Sequence, residues 1–249
     1  MLIIRVPCVR QIGRSFQSVR TCKKRISQIG IASMSIDVSQ LELNGFVFAR
    51  GVRETDLIGI VQHLGNLRVD PRSPTPVRDI SPQLLSSAKA NTLSSRYGTD
   101  AFPFHTDTAH WDHPARYLAL FCVNPGEGER ATLLQDSRAW QLQNDEIELA
   151  CRALWKTGHV RPRLCLFAER AADGIAIRYD KDCMRPMTRE ARELEALVED
   201  WINRSEKIHI SWEPECLLVI DNRRMVHARG ISKRLDANRV LKRILIGGE

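Results

Sequence analysis

The apolar residues of this chain come in short runs separated by turn signals, and that pattern limits the fold more than any other feature. Gly45 to Ala49, Tyr117 to Val123, Ala131 to Gln135, Val160 to Phe167, Gly174 to Tyr179, Lys207 to Trp212, Cys216 to Ile220 and Arg239 to Ile246 each read as a strand. Only three helices interrupt them. Glu54 to Leu64 carries Leu57, Ile60, Val61 and Leu64 on one face. A second helix runs from about Asp145 to Trp155. Thr188 to Asn203 repeats Ala191, Leu194, Leu197, Val198, Trp201 and Ile202 at helical spacing. Strands and helices do not alternate as βαβ units require. The expected fold is therefore mainly β with flanking helices, a sandwich or barrel. The longest apolar runs, such as Leu118 to Val123, are strand-sized, well short of the roughly 18 residues that cross a membrane. Residues 66 to 103 are rich in Pro, Ser, Asn and Asp and read as a long loop region. Such loops inside compact domains are usually functional, and this one together with 159 to 187 is expected to choose a substrate.

The net charge of +7 invites a nucleic-acid reading that its distribution removes. Arg5, Arg10, Arg14, Arg20, Lys23, Lys24 and Arg25 precede the first acidic residue, Asp37. Setting those seven aside leaves 30 basic against 30 acidic residues, so the body is neutral and no nucleic-acid partner is expected. Residues 1–36 are expected to be a basic extension and 37–249 the functional domain. The extension reads as a disordered tail, an upstream translation before Met34, or a mitochondrial targeting segment. The seven cysteines, at 8, 22, 122, 151, 165, 183 and 216, include no CxxC pair and read as reduced thiols. A cytoplasmic location follows, or a mitochondrial one if residues 1–33 are a transit peptide. No membrane partner is expected, and assembly into a homo-oligomer is left open.

The chemistry concentrates in two stretches. In FPFHTDTAHW, residues i and i+2 of an extended segment share a side, so His105 and Asp107 can present an imidazole and a carboxylate to one metal ion. In DNRRMVHARG, directly after an apolar strand, His227 supplies a candidate third ligand. Two His and one carboxylate on one face of an octahedron leave three positions open, the ligand set of non-haem Fe(II) oxygenases. Downstream, Arg239 and Arg243 lie four apart in the strand-like run NRVLKRILI, where they would share a face. A guanidinium fork can hold a carboxylate by two parallel hydrogen bonds. HTDTAHWDH also permits a zinc cluster using His110 and His113, at less familiar spacing. His110 and Trp111 are candidate pocket residues. Arg178, beside Tyr179 and Asp180, is a candidate substrate anchor, and Arg229 follows His227 on the same side. Trp140, Trp155 and Trp201 read as core. No GxGxxG, Walker-type or GxSxG motif is present, which argues against nucleotide-cofactor oxidoreductases, P-loop enzymes and serine hydrolases.

Together the blocks FHTDTAHW with PGEGERATLLQD, and DNRRMVHARG with NRVLKRILI, resemble the taurine-dioxygenase-like family of Fe(II)- and 2-oxoglutarate-dependent oxygenases, over roughly residues 40 to 249. The resemblance implies a double-stranded β-helix, or jelly roll, with Fe(II) held by His105, Asp107 and His227. It implies that Thr132 helps bind 2-oxoglutarate, that Arg239 grips its far carboxylate, and that Arg243 lies nearer the iron-side carboxylate or the substrate. The implied activity is oxidation of a small polar molecule by O2, with release of succinate and CO2. Related halogenases lack the carboxylate ligand, and this chain keeps it, so hydroxylation is the default outcome. The chain departs from the family in having Ala101 where members often place a polar residue such as Asn, and in a short interval between Asp107 and His227. A cupin-like metal-dependent hydrolase or isomerase that does not use 2-oxoglutarate is the alternative, though it would need neither Thr132 nor Arg239.

Overall fold

In a computed structural model of the chain, the structure describes residues 35–90, 92–158, 162–171, 174–234 and 236–247. The basic extension expected at 1–36 therefore lies, up to residue 34, outside the described residues. Ile36 is already buried and packs into the core.

Among the described residues there are fourteen strands and five α-helices. The strands are β1 (Phe46–Ala49), β2 (Leu67–Arg68), β3 (Val77–Ile80), β4 (Tyr117–Asn124), β5 (Thr132–Asp136), β6 (Leu154–Thr157), β7 (Arg163–Leu166), β8 (Ala168–Ala171), β9 (Gly174–Ile177), β10 (Met184–Pro186), β11 (Ile208–Ile210), β12 (Leu217–Asp221), β13 (Met225–Arg229) and β14 (Val240–Ile246). The helices are α1 (Val38–Asn44), α2 (Leu57–Val61), α3 (Ser94–Tyr97), α4 (Asn144–Arg152) and α5 (Arg189–Arg204). A six-stranded sheet runs β1-β12-β4-β14-β2, with β3 also paired to β14, and a three-stranded sheet runs β11-β5-β13. The pairings are antiparallel throughout.

The two-residue period of the strands sorts the side chains between layers. In β4, Leu118, Leu120 and Cys122 face inward onto Leu134 of β5 and Ile210 of β11, with Leu218 and Ile220 of β12 beside them. Tyr117, Ala119 and Phe121 face outward under Leu41 of α1 and Leu57, Ile60 and Val61 of α2. On the other sheet, Met225 points inward, while Val226 and Ala228 lie under Ala150 of α4 and Ala191, Leu194, Val198 and Trp201 of α5. The result is the expected jelly roll: two antiparallel sheets enclosing an apolar interior, each backed by helices. Helix α5 begins where Thr188 caps the Ala191 N–H. Among the described residues, no helix is long and apolar enough to cross a membrane.

Several boundaries differ from the sequence reading. The helix expected to reach Trp155 stops at Arg152, and Trp155 becomes the fully buried centre of β6. A short apolar run such as Ala153-Leu154-Trp155 suits either helix or strand, and pairing with β7 and β10 decides for strand. The segment 66–103, read as loop, contains β2 and β3, whose strength comes from pairing with β14 rather than from apolar periodicity. Trp140 and Trp201 do pack together, stacked at 5.0 Å, and Trp155 and Trp201 are buried.

Candidate metal centre and active site

His105, Asp107 and His227 are brought together at one end of the interior, their ligand atoms all within 4.8 Å of one another. They are the one such group among the described residues, and neither His110 nor His113 belongs to it. Backbone pairing builds the centre. His105 and His227 exchange both backbone hydrogen bonds, at 3.0 and 2.9 Å, as an isolated antiparallel bridge, which sets their rings 4.4 Å apart. His227 stands opposite Leu134 across β13 and β5, and so shares its inward face. Asp107 follows as the chain leaves this bridge. Its Oδ1 lies 3.7 Å from His105 Nε2 and 3.8 Å from His227 Nε2.

Three interactions hold this arrangement. His105 Nδ1 lies 2.9 Å from the Pro103 carbonyl, and donating there leaves Nε2 with its lone pair toward Asp107. Asn222, 1% exposed, clamps the Asp107 backbone: its Oδ1 accepts from Asp107 N at 2.7 Å, and its Nδ2 donates to Asp107 O at 2.9 Å and Ala115 O at 2.8 Å. Arg243 Nη1 donates to Asp107 Oδ2 at 3.1 Å and Nη2 to Asp70 Oδ2 at 2.6 Å.

The electrostatics suit a cation. Burial alone would raise the Asp107 pKa, yet Arg243 and the two imidazoles outweigh it and hold the group well below the ordinary carboxylate range. Burial, reinforced by the His105 charge, pushes His227 down to about 3, so its ring is neutral and free to ligate. Burial also works against the charged form of His105, but its contact with Asp107 and the field of Asp180 prevail and raise it. Two imidazoles and one carboxylate, largely withdrawn from water, form a donor set for a divalent ion such as Fe(II).

The second half of the site lies at the far end of the same faces. Thr132 stands opposite Arg229 in register, both inward, and is 6% exposed. The Thr132 hydroxyl accepts from Trp212 Nε1 at 3.0 Å, which leaves its own hydrogen to donate. Arg239 does not begin β14 as expected. It precedes the strand, and a register shift between Val240 and Leu241 separates it from Arg243. It is 5% exposed, its Nε is 4.0 Å from Asp236 Oδ2, and Nε and Nη2 have no hydrogen-bond partner among the described residues. Burial, with Arg130 adding to it against Asp236, lowers it to about 10. Asp236 is already engaged by Arg130 Nε at 3.1 Å. Three buried or half-buried guanidinium groups, Arg130, Arg229 and Arg239, thus face one carboxylate, and burial first, then Arg130 and Arg239, lowers Arg229 to about 9. A buried guanidinium with two donors short of hydrogen bonds and a hydroxyl with a hydrogen to give are groups that can bind a carboxylate. The turn Pro125–Gly128 closes over them. Gly126 has φ +74°, and a Cβ there would fall 1.8 Å from Asp236 Oδ1.

The remaining candidates separate. His110 is exposed, within electrostatic reach of Asp70, Arg72, Asp107 and Asp180, and so sits at the rim of the metal centre. Trp111 lies beside it, under the Arg68 guanidinium. Arg178 is occupied as a staple: Nη1 and Nη2 donate to the carbonyls of Trp111 and Asp112, fixing the loop after the metal motif. Arg229 donates to the carbonyls of Gly98 and Asp100 and lies 3.5 Å over Phe102, so it also secures a loop. Asp70, Asn222, Arg130 and Asp236 were not anticipated. Asn222 stood within a quoted motif, but nothing in its spacing reveals what it clamps.

No family model matches the sequence, and no curated protein does. Solved structures match in fold. The chain is similar to an asparagine oxygenase crystallised with Fe(II), 2S,3S-3-hydroxyasparagine and succinate, at 16% identity and a TM-score of 0.68, over 84% of this chain and 77% of that one. It is similar to the non-haem iron oxygenase OrfP in complex with Fe and alpha-ketoglutaric acid, at 17% identity and 0.69, over 85% and 78%. The PvcB protein from Pseudomonas aeruginosa matches at 19% identity and 0.61, over 84% and 78%. The chain therefore has the jelly-roll fold of non-haem iron oxygenases.

Proposed function

We propose that this chain is an Fe(II)- and 2-oxoglutarate-dependent dioxygenase that hydroxylates, or otherwise oxidises, a small polar molecule, releasing succinate and CO2. The observation that carries the reading is the pairing of the buried His105, Asp107 and His227 group with a buried, unsatisfied Arg239 in one jelly-roll interior. A metal-only hydrolase has no use for the second feature.

When bound, Fe(II) supplies the redox chemistry that couples decarboxylation of 2-oxoglutarate by O2 to oxidation of the substrate. The protein's own residues position and exclude water. His105, Asp107 and His227 would hold the ion. Thr132 and Arg239 would receive the far carboxylate, and Arg130, by engaging Asp236, leaves Arg239 short of hydrogen-bond partners. Arg72 and Asp180 both act electrostatically on His110 at the rim. Opposite charges at one mouth suit a substrate bearing ionised groups. This agrees with the hydroxylated amino acids, 2S,3S-3-hydroxyasparagine and (3S)-hydroxy-L-Arg, bound by the similar oxygenases.

The test is anaerobic titration with Fe(II), then 2-oxoglutarate, following the weak visible charge-transfer band of a keto acid chelated to ferrous iron. The band should appear for the native chain and be lost in His227→Ala together with iron. Iron binding without the band would overturn the 2-oxoglutarate reading in favour of a metal-only enzyme.

A further inference from the structure

Asp70 is a buried carboxylate, 5% exposed, just past β2 in the segment read from sequence as loop. Its Oδ1 accepts from the Arg72 backbone N–H at 2.9 Å and Nε at 3.2 Å. Its Oδ2 accepts from Arg78 Nη1 at 2.7 Å, Arg243 Nη2 at 2.6 Å and, more distantly, Arg72 Nη2 at 3.5 Å. Arg78 and Arg243 are direct cross-strand partners in β3 and β14. Like charges directly opposite on a sheet repel. Arg243 also interrupts an inward apolar stripe, between Leu241 and Leu245, where an unpaired guanidinium is costly to bury. One oxygen of Asp70 resolves both conflicts by accepting from the two guanidiniums at once.

The consequence reaches the metal centre. Arg243 spans two carboxylates, with Nη2 on Asp70 and Nη1 on Asp107 Oδ2, while Asp107 Oδ1 alone faces the two imidazole Nε2 atoms. We propose that Asp70 is a positioning residue of the metal centre: it fixes Arg243 on Oδ2 of Asp107, so that this carboxylate offers the metal a single oxygen. A carboxylate released from Arg243 could turn both oxygens to the ion and fill a position that cosubstrate or O2 requires. The inference rests on His105, Asp107 and His227 being the metal ligands. Because Asp70 belongs to the segment that carries Arg72 at the rim, it also ties that segment to the geometry of the ion.

The test uses Co(II) alone, without 2-oxoglutarate, and reads its visible spectrum and affinity by titration. Asp70→Asn keeps the shape and removes the charge. It should fold, weaken Co(II) about tenfold or more, as loss of an outer partner of a ligand does, and change the Co(II) bands because the coordination changes. Lys242→Met, whose ammonium pairs with Glu54 and Asp79 on the outer face, should leave both unchanged. Native-like affinity and bands in Asp70→Asn would overturn the proposal while the metal reading stands. A native chain that fails to bind Co(II) would overturn the metal reading itself. Should Asp70→Asn not fold, Asp70→Glu moves the same charge by one methylene, and altered bands at intact stability would carry the proposal where unaltered bands would sink it.

Discussion

Replacing Arg239 by Met separates stability from ligand binding, because in the free protein the guanidinium is poorly served. Two of its buried donors, Nε and Nη2, lack hydrogen-bond partners among the described residues, and each such group costs about 1–3 kcal/mol. Against that stands attraction to Asp236 at 4.0 Å, about 4 kcal/mol at an effective dielectric of 20. Asp236 is not abandoned in the variant, since Arg130 Nε at 3.1 Å and the Gly128 N–H at 3.4 Å remain. The opposing contributions nearly cancel, and Met fills the volume. The ligand-free protein should therefore change in stability by less than about 2 kcal/mol, whereas breaking an ordinary buried ion pair costs about 3–5 kcal/mol. The ligand response should differ sharply. At a hundred times its Kd, 2-oxoglutarate should stabilise the native protein by about 2.7 kcal/mol, which for a domain of this size would raise Tm by about 5–11 °C. In the Co(II)-loaded Arg239→Met protein the same addition should raise Tm by about nothing. Thermal scans of both proteins with and without 2-oxoglutarate decide the matter. A shift that survives the substitution would show that the carboxylate is held elsewhere, and a ligand-free loss above about 4 kcal/mol would show that Arg239 serves the fold.

Asn222→Asp is isosteric but converts the Nδ2 donor into an acceptor facing the Asp107 and Ala115 carbonyls. Two buried bonds of 2.9 and 2.8 Å are lost, for about 2–6 kcal/mol by urea unfolding, and Co(II) affinity should fall with them; a loss below about 1 kcal/mol would mean that Asp107 is held without its clamp. Gly126→Ala places a methyl group against Asp236 at positive φ, and should weaken the 2-oxoglutarate-induced Tm shift while leaving Co(II) affinity within about twofold. Equal damage to both ligands would refute the separation of the two halves of the site.

What the sequence disclosed and what it withheld follow from the range over which each interaction acts. The inward stripe of Leu118, Leu120 and Cys122 and the buried face of α5 repeat at the period of their own elements, so reading along the chain finds them. Strand β3 does not repeat in this way. Val77, Arg78, Asp79 and Ile80 form a strand because β14 supplies the partner, and a neighbour some 160 residues away leaves no local trace. Trp155 illustrates the reverse error, since an apolar run continuing from α4 reads as more helix until β7 and β10 take it up on either side.

The same distinction runs through the site. The proposed metal ligands were legible because coordination demands particular side chains, and His105 and Asp107 two apart in an extended segment already imply a shared direction. Arg239 was legible as a type of residue, but its unbonded donors were not, because they depend on Arg130 having taken Asp236 first. Arg178 shows the opposite situation: an Arg beside a strand end looks available in sequence, yet two backbone carbonyls engage its fork. Asp70 is the sharpest case. Its segment has no periodicity, and its weight comes from lying between Arg78 and Arg243, which become neighbours only when β3 and β14 pair. An arginine's role in such a site is set less by its own position than by which carboxylate reaches it first, and that order is fixed by the pairing of strands.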